Sequence, residues 1–520
     1  MSASPRLRFN ARRVAVIGAG PSGLAALKYL RAENKFEKIV AFEQRSAPGG
    51  IWNYTAEDRD DGSFAVPKTR PSSKDLDQPI WIGKNVNGVG KGKANAATNG
   101  TVNGASKEDK EVQFLSPIYD RLETNIPRML MRFQDHAFPD DIQLFPKHAS
   151  VKEYLKGYAE DVLETIRFRT QVVDVRFIGS KAEQIGDEEV KEESWSVTTK
   201  NIVTGEQTEE VFDAVVVANG HYYTPYIPDI EGIKEWYQTS PKSISHSKFY
   251  RTPDVFKDKK VIVVGNSASG LDIGAQLSGV VQQPLIASIK TESYMSPGPA
   301  KDRKEYPPIT HLDVNTRTAT FADGGKESDI DAIIFCTGYF YSLPFISDVD
   351  GPPLITEGNR VDNTYQHVFY APHPTLSTLV LNQRVIPFPV AEAQAAILAR
   401  VYAGRLALPP LAEMEQWEQE TLKENGPGTD FHTLAFPKDA IFINELHDWA
   451  AMAEREEEGV GKTPPKWTEW HFWCRERFPQ IKKAFNERGE ERANVRTLEE
   501  LGFDFEAWKV ERAKQEEKLL

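Results

Sequence analysis

Short apolar runs broken by glycine set the first pattern in this chain. Arg13-Val-Ala-Val-Ile17 is apolar after its first residue, as a strand buried on both faces would be, and it stops at Gly18. Over 21–33, Leu24, Leu27 and Leu30 recur at helical spacing, and Glu37-Lys-Ile-Val-Ala-Phe-Glu43 is a second buried run. Strand, tight turn, helix and strand predict a βαβ unit and a doubly wound α/β fold. Val151, Tyr154, Leu155, Tyr158 and Val162 predict a helix over 147–166, and strands are expected over 171–177 and 195–200. Val211-Phe-Asp-Ala-Val-Val-Val-Ala218 is a further buried strand, stopped by Asn219-Gly220.

The stretch 259–270 repeats the opening strand and glycine turn, with a helix expected from Leu271. Asp331-Ala-Ile-Ile-Phe-Cys336 then ends at Thr337-Gly338, much as 211–218 ends at Asn219-Gly220. Two matching strand ends bracket Tyr222 to Ser328, which predicts one nucleotide-binding domain inserted into another. The expected divisions are 8–221, 222–332, 333–410 and 411–520. Beyond Pro389 the pattern turns helical over 391–405. It continues as a charged tail whose Trp449, Trp467, Trp470 and Trp473 call for a packing surface, while the last dozen residues suit a solvated helix. Between Trp81 and Phe114 no aromatic occurs, and 83–111 is dominated by Gly, Asn, Lys and Ala. Such a stretch buries too little apolar surface to offset its ordering entropy, so a disordered surface insertion is expected.

Composition narrows the chemistry. No run approaches the roughly 18 residues of apolar sequence that would span a bilayer, and the opening residues lack a signal core, so a cytosolic protein is expected. Cys336 and Cys474 are the only cysteines, which excludes a disulfide framework, a cysteine zinc site and a CxxC redox pair. Asp and Glu outnumber Lys and Arg by 76 to 63, which disfavours nucleic acid or an anionic membrane as the main partner. A small-molecule substrate is the better expectation, with no metal; oligomeric state stays open, a homodimer included.

The two glycine turns select their ligands. Gly18-Ala-Gly20-Pro21-Ser22-Gly23 follows a strand and opens a helix, where Gly18 permits the turn, Gly20 admits a pyrophosphate and Gly23 lets the helix sit close. Glu43, about 20 residues past Gly23, is placed to accept from ribose hydroxyls. In Gly265-Asn-Ser267-Ala-Ser269-Gly270 the middle glycine is serine, and the corresponding later position is Lys290, which would pair with a 2′-phosphate that an acid would repel. The first turn should therefore take FAD or NAD and the second NADPH. With NADPH reducing a flavin and no redox cysteines, O2 is the obvious acceptor.

From about Arg13 to about Pro410 the chain resembles the flavin-containing monooxygenase family. Gly49-Gly50-Ile51-Trp52 is similar to the family's segment beside the flavin, and Thr124-Asn125-Ile-Pro127 to its Asn-x-Pro motif. Phe145-Pro-Lys-His148, Asp331 to Tyr339, and Val385-Ile-Pro-Phe-Pro389 through Glu392 and Gln394 match later segments. The identifying phrase Phe-x-Gly-x-x-x-His-x-x-x-Tyr is met only in His246 and Tyr250; Ser240 and Lys242 stand where it has Phe and Gly, with Trp236 and Tyr237 nearby. The resemblance implies an FAD- and NADPH-dependent monooxygenase acting on a soft nitrogen or sulfur nucleophile, an amine, thiol or sulfide, through a flavin C4a-hydroperoxide. It implies one catalytic side chain, Asn125, and a role for Asp272 toward the nicotinamide half. His246 is expected to be structural, Cys336 an inert hydrophobe, and Tyr339 to Phe345 a border of the substrate cavity. Baeyer-Villiger oxygenation, N-hydroxylation of amino-acid side chains, and a non-oxygenating redox-sensing or interaction role remain as alternatives.

Overall fold

The structure, a computed structural model, describes residues 5–56, 64–72, 75–83, 110–291, 302–454 and 460–519. Its first sheet is centred on Arg13–Ile17, which runs parallel between Lys38–Glu43 and Ala214–Val217. Ile166–Phe168 continues the sheet on one side and Leu376–Thr378 on the other, both parallel. Strand order therefore reverses at Arg13–Ile17, and a crevice opens beyond the carboxyl ends there. The antiparallel pair Thr364–Tyr365 and Phe369–Tyr370 closes the far edge.

A second parallel sheet is ordered Ile244–His246, Ala332–Phe335, Val261–Val264, Leu285–Ser288, Arg303–Tyr306. All its strands fall in sequence between Ala214–Val217 and Leu376–Thr378 of the first sheet. The chain thus has two Rossmann-like sheets, the second built during an excursion from the first.

A mixed sheet with an antiparallel centre covers one face of the first. Val172, Val175, Trp195, Val197 and Phe212 from it pack on Ala15, Ile17, Val215 and Val217. Its two long strands, Thr170–Ile185 and Glu188–Asn201, exceed the expected 171–177 and 195–200. The added residues are mostly polar and at least partly exposed, so their pairing rests on backbone ladder bonds, which leave no hydrophobic period to read. Ile80–Gly83 pairs with Lys110–Gln113, so the ends of the expected disordered insertion are strand; residues 84–109 lie outside the described residues.

The opposite face carries helices Pro21–Ala32 and Pro387–Tyr402, which pack on each other. The second starts four residues before the expected Ala391, because Pro387 and Pro389 fall in the first turn, where a missing N–H costs nothing. The tail is built into this layer. Met414, Ile443, Leu446, Trp473, Ile481 and Phe485 join Leu24, Leu27 and Leu30 in one core, each large side chain contributing about 1.5–3 kcal/mol of burial. Two buried ion pairs lie in the same layer, Arg405 to Glu33 and, within the tail, Arg475 to Asp439, each at 2.7 Å. The final helix, Phe505–Leu519, is largely exposed. Among the described residues no helix is long and apolar enough to cross a membrane.

Candidate functional site

The first glycine turn is as tight as glycine allows. Gly18 has φ +102°, and a Cβ there would stand 2.7 Å from the Ala218 carbonyl oxygen; one on Gly23 would stand 2.0 Å from that of Gly18. Gly20 faces Gly50 so closely that a Cβ on Gly50 would lie 2.9 Å from the Gly20 Cα. Helix Pro21–Ala32 has no side-chain cap, which leaves its first N–H groups for an anion. Glu43 is buried, and its two oxygens accept the N–H groups of Ala19 and Arg45, each at 2.8 Å. The carboxylate is thereby pinned at the end of its strand with lone pairs still available for hydroxyl donors.

Gly18, Gly20, Pro21, Ser22, Glu43, Gly50, Ile51 and Trp52 line one open cleft of about 300 Å³. Its other walls bring residues that motif spacing did not mark: Asn219, His221, Thr224, Asn382 and Arg384, with the apolar Phe340, Pro344, Phe345, Val385 and Phe388. Of the expected border from Tyr339 to Phe345, Phe340, Ser342, Pro344 and Phe345 reach the cleft. Among the described residues, four buried polar atoms here have no hydrogen-bond partner: Asn382 Nδ2, Thr224 Oγ1, His221 Nε2 and Arg45 Nε. Burial pushes the His221 imidazole down to about 4, so it is neutral at pH 7. Unpaired buried donors and acceptors beside a glycine cradle fit a large polar ligand such as a flavin dinucleotide. The sequence clues to them were slight: His221 follows the Asn219-Gly220 stop, and Asn382 stands three residues ahead of Val385.

The second turn repeats the first. Gly265 has φ +104°; a Cβ there would meet the Cys336 carbonyl oxygen at 2.6 Å, and one on Gly270 would meet that of Gly265 at 2.1 Å. The Gly265 N–H donates to Ser288 at 2.9 Å, as that of Gly18 does to Phe42. Helix Ala268–Ser278 starts at Ser267 without a side-chain cap, with Ser269 in its first turn. Lys290 is exposed two residues past strand Leu285–Ser288. Asp272 is engaged by protein, accepting from the Tyr119 hydroxyl and from Gln276 Nε2, and burial raises its pKa. Cys336 is buried, its thiol pushed up to about 12.

Thr124 and Asn125 do not line the cleft; they form the turn entering helix Arg128–Met131. The Thr124 hydroxyl donates to the Ile126 carbonyl at 2.9 Å, while the half-buried Asn125 amide makes no hydrogen bond among the described residues. His246 is fully buried, donates from Nε2 to the Gly338 carbonyl at 3.0 Å and accepts the Lys248 N–H at Nδ1 at 3.1 Å. Both ring nitrogens are used where the chain leaves the second sheet.

The profile of the flavin-binding monooxygenase-like family matches residues 105–301 and 308–446, and that of the NAD(P)-binding Rossmann-like domain matches 16–68. Flavin-containing monooxygenase FMO GS-OX5 of Arabidopsis thaliana is 33% identical over 430 residues, 79% of this chain and 78% of its own. The thiol-specific monooxygenase of Saccharomyces cerevisiae is 30% identical over 451 residues, 84% of this chain and 85% of its own. The structure of S-allyl-L-cysteine S-oxygenase from Allium sativum is similar with a TM-score of 0.68 and 26% identity, covering 99% of this chain and 100% of that one.

Proposed function

Because this chain belongs to the flavin-binding monooxygenase-like family, as an NADPH-dependent flavin monooxygenase with FAD and NADPH as cofactors, we propose that it transfers one oxygen atom of O2 to the sulfur of a small thiol or sulfide. The observation that carries the sulfur assignment is the apolar lining of Phe340, Pro344, Phe345, Val385 and Phe388 in the same cleft as Trp52. Such a lining excludes water and suits an uncharged, polarisable nucleophile better than a protonated amine. The similarity to a thiol-specific monooxygenase and to an S-oxygenase supports the same choice.

The chemistry supplied by a bound flavin is hydride acceptance from NADPH and activation of O2, one oxygen passing to the sulfur lone pair and the other leaving as water. The chain's residues do the rest. Gly18, Gly20, Pro21, Ser22 and Gly23 seat the FAD pyrophosphate on a helix N-terminus, and Glu43 accepts from the ribose. Gly50, Ile51 and Trp52 pack beside the flavin. Gly265, Ser267, Ser269 and Gly270 seat the NADPH pyrophosphate, and Lys290 pairs with its 2′-phosphate. Asp272, held by Tyr119 and Gln276, orients the nicotinamide half. Asn125 is the catalytic side chain in this reading: its amide, without a partner among the described residues and on the Thr124 turn outside the cleft walls, donates hydrogen bonds to a cofactor that reaches past the cleft, without releasing a proton.

Labelled O2 tests the reading. With NADPH and an alkyl sulfide or thiol, one labelled oxygen per NADPH should appear on sulfur, and tertiary amines should react at least about tenfold more slowly by kcat/KM. A faster amine moves the substrate class to nitrogen. Release of all consumed O2 as hydrogen peroxide, whichever nucleophile is present, would sink the oxygenase reading. Asn125→Ala should raise the share of NADPH lost to peroxide while leaving flavin reduction in place.

A further inference from the structure

We propose that Lys482, on helix Glu469–Glu487 of the C-terminal extension, is a positioning residue for oxygen transfer, fixing the Thr124–Asn125 peptide and thereby aiming the Asn125 amide. The inference rests on the assignment of Asn125 above. Lys482 Nζ donates to the Thr124 carbonyl at 2.9 Å, on the peptide that Thr124 shares with Asn125. Among the described residues the Asn125 side chain makes no hydrogen bond, so its direction follows from how that backbone is held.

The extension holds the turn at two more points. Arg492 pairs with Glu123 at 3.1 Å, and the Val495 carbonyl accepts the N–H of Leu144, whose own carbonyl accepts the N–H of Arg128. Farther along the same helix, Arg475 donates to the carbonyl of Arg384, a cleft residue, at 2.8 Å. One helix therefore fixes a cleft wall and the Asn125 turn.

Packing alone does not account for a lysine here. Its ammonium lies 4.5 Å from the Phe145 ring and 5.2 Å from that of Phe485, where a methionine would fill the space without desolvating a charge. Burial and Arg492 push its pKa down, Glu123 and Asp272 hold it up, and it sits at about 8. The cation is kept against the Phe145–Phe485 ring pair, whose centroids are 4.8 Å apart, where a carbonyl and two carboxylates draw on it.

The test compares holoenzymes carrying Lys482→Met, Asn125→Ala and both, reading peroxide formed per NADPH and the rate of flavin reduction. Lys482→Met should raise the peroxide share about threefold or more with reduction changed less than about twofold, and should add nothing in the Asn125→Ala background. In FAD-free protein the same variant should speed amide exchange over 122–128 about tenfold. Native coupling in Lys482→Met beside uncoupled Asn125→Ala overturns the inference alone. Native coupling in Asn125→Ala overturns the assignment beneath it as well. Should Lys482→Met not fold, the pH profile decides: the native peroxide share should rise through a pH of about 8, whereas Lys482→Arg, always charged, should stay flat. Coincident profiles overturn the inference.

Discussion

Gln394 donates from Nε2 to Asn382 Oδ1 at 2.9 Å, while its own Oε1 accepts the Val380 N–H at 2.8 Å. The relay has one direction, and it ends with Asn382 Nδ2 buried at the cleft and without a partner among the described residues. An unmet buried donor costs about 1–3 kcal/mol, recovered when a ligand supplies an acceptor. Asn382→Leu, which keeps the volume and removes the donor, should lower FAD affinity about tenfold, read by flavin fluorescence on dissociation. Gln394→Leu should weaken binding less, because Asn382 keeps its amide and loses only its orientation. Native FAD retention in Asn382→Leu would contradict this reading of the relay.

The duplicated turns allow the two nucleotides to be separated. Alanine at Gly18 or at Gly265 meets a backbone carbonyl within 2.7 Å at a positive φ, so neither turn can relax by moving a side chain. Gly265→Ala should remain yellow yet lose NADPH-driven reduction by about a hundredfold, while dithionite still reduces it. Gly18→Ala should purify without flavin. A Gly265→Ala enzyme reduced by NADPH at the native rate would show that this turn does not carry the second nucleotide.

Those turns were legible in the sequence because their geometry tolerates almost no other residue: Gly18 against Ala218 and Gly265 against Cys336 leave no room for a Cβ. Buried parallel strands such as Ala214–Val217 were legible for a related reason, since burial on both faces demands an unbroken apolar run. Asn382 was not, because its role depends on Gln394 and Val380, brought together by a loop and a helix rather than by spacing. Lys482 stands beside Lys483 in a charged stretch; one is held against the Phe145 and Phe485 rings and the other is exposed, a difference that only packing creates. The polar ribbon between Thr170 and Asn201 was hidden because its ladder bonds belong to the backbone.

Lys290 should set the preference between nicotinamide cofactors. It is exposed, and a solvent-facing pair with a phosphate contributes about 1 kcal/mol, so Lys290→Ala should raise the KM for NADPH about fivefold. The KM for NADH, which lacks the 2′-phosphate, should stay within about twofold. Equal effects on both cofactors would place Lys290 outside the 2′-phosphate site.

Glu392 gives a pH dependence whose sign can be worked out. It is fully buried, accepts the Gln134 N–H at 2.8 Å and lies 3.5 Å from the Tyr158 hydroxyl. Burial pushes its pKa from 4.5 up to about 7. The native state therefore keeps a proton that the unfolded chain has released between those values, and stability falls as pH rises across that window. The full effect is roughly 3 kcal/mol, reached above pH of about 7, because each pKa unit is worth about 1.4 kcal/mol. Glu392→Gln keeps an acceptor for Gln134 and does not titrate. Its melting midpoint minus that of the native protein should accordingly grow by several degrees from about pH 5 to about pH 8. A difference that stays constant over that range would mean that Glu392 is ionised throughout, with a neighbour supplying the compensating charge.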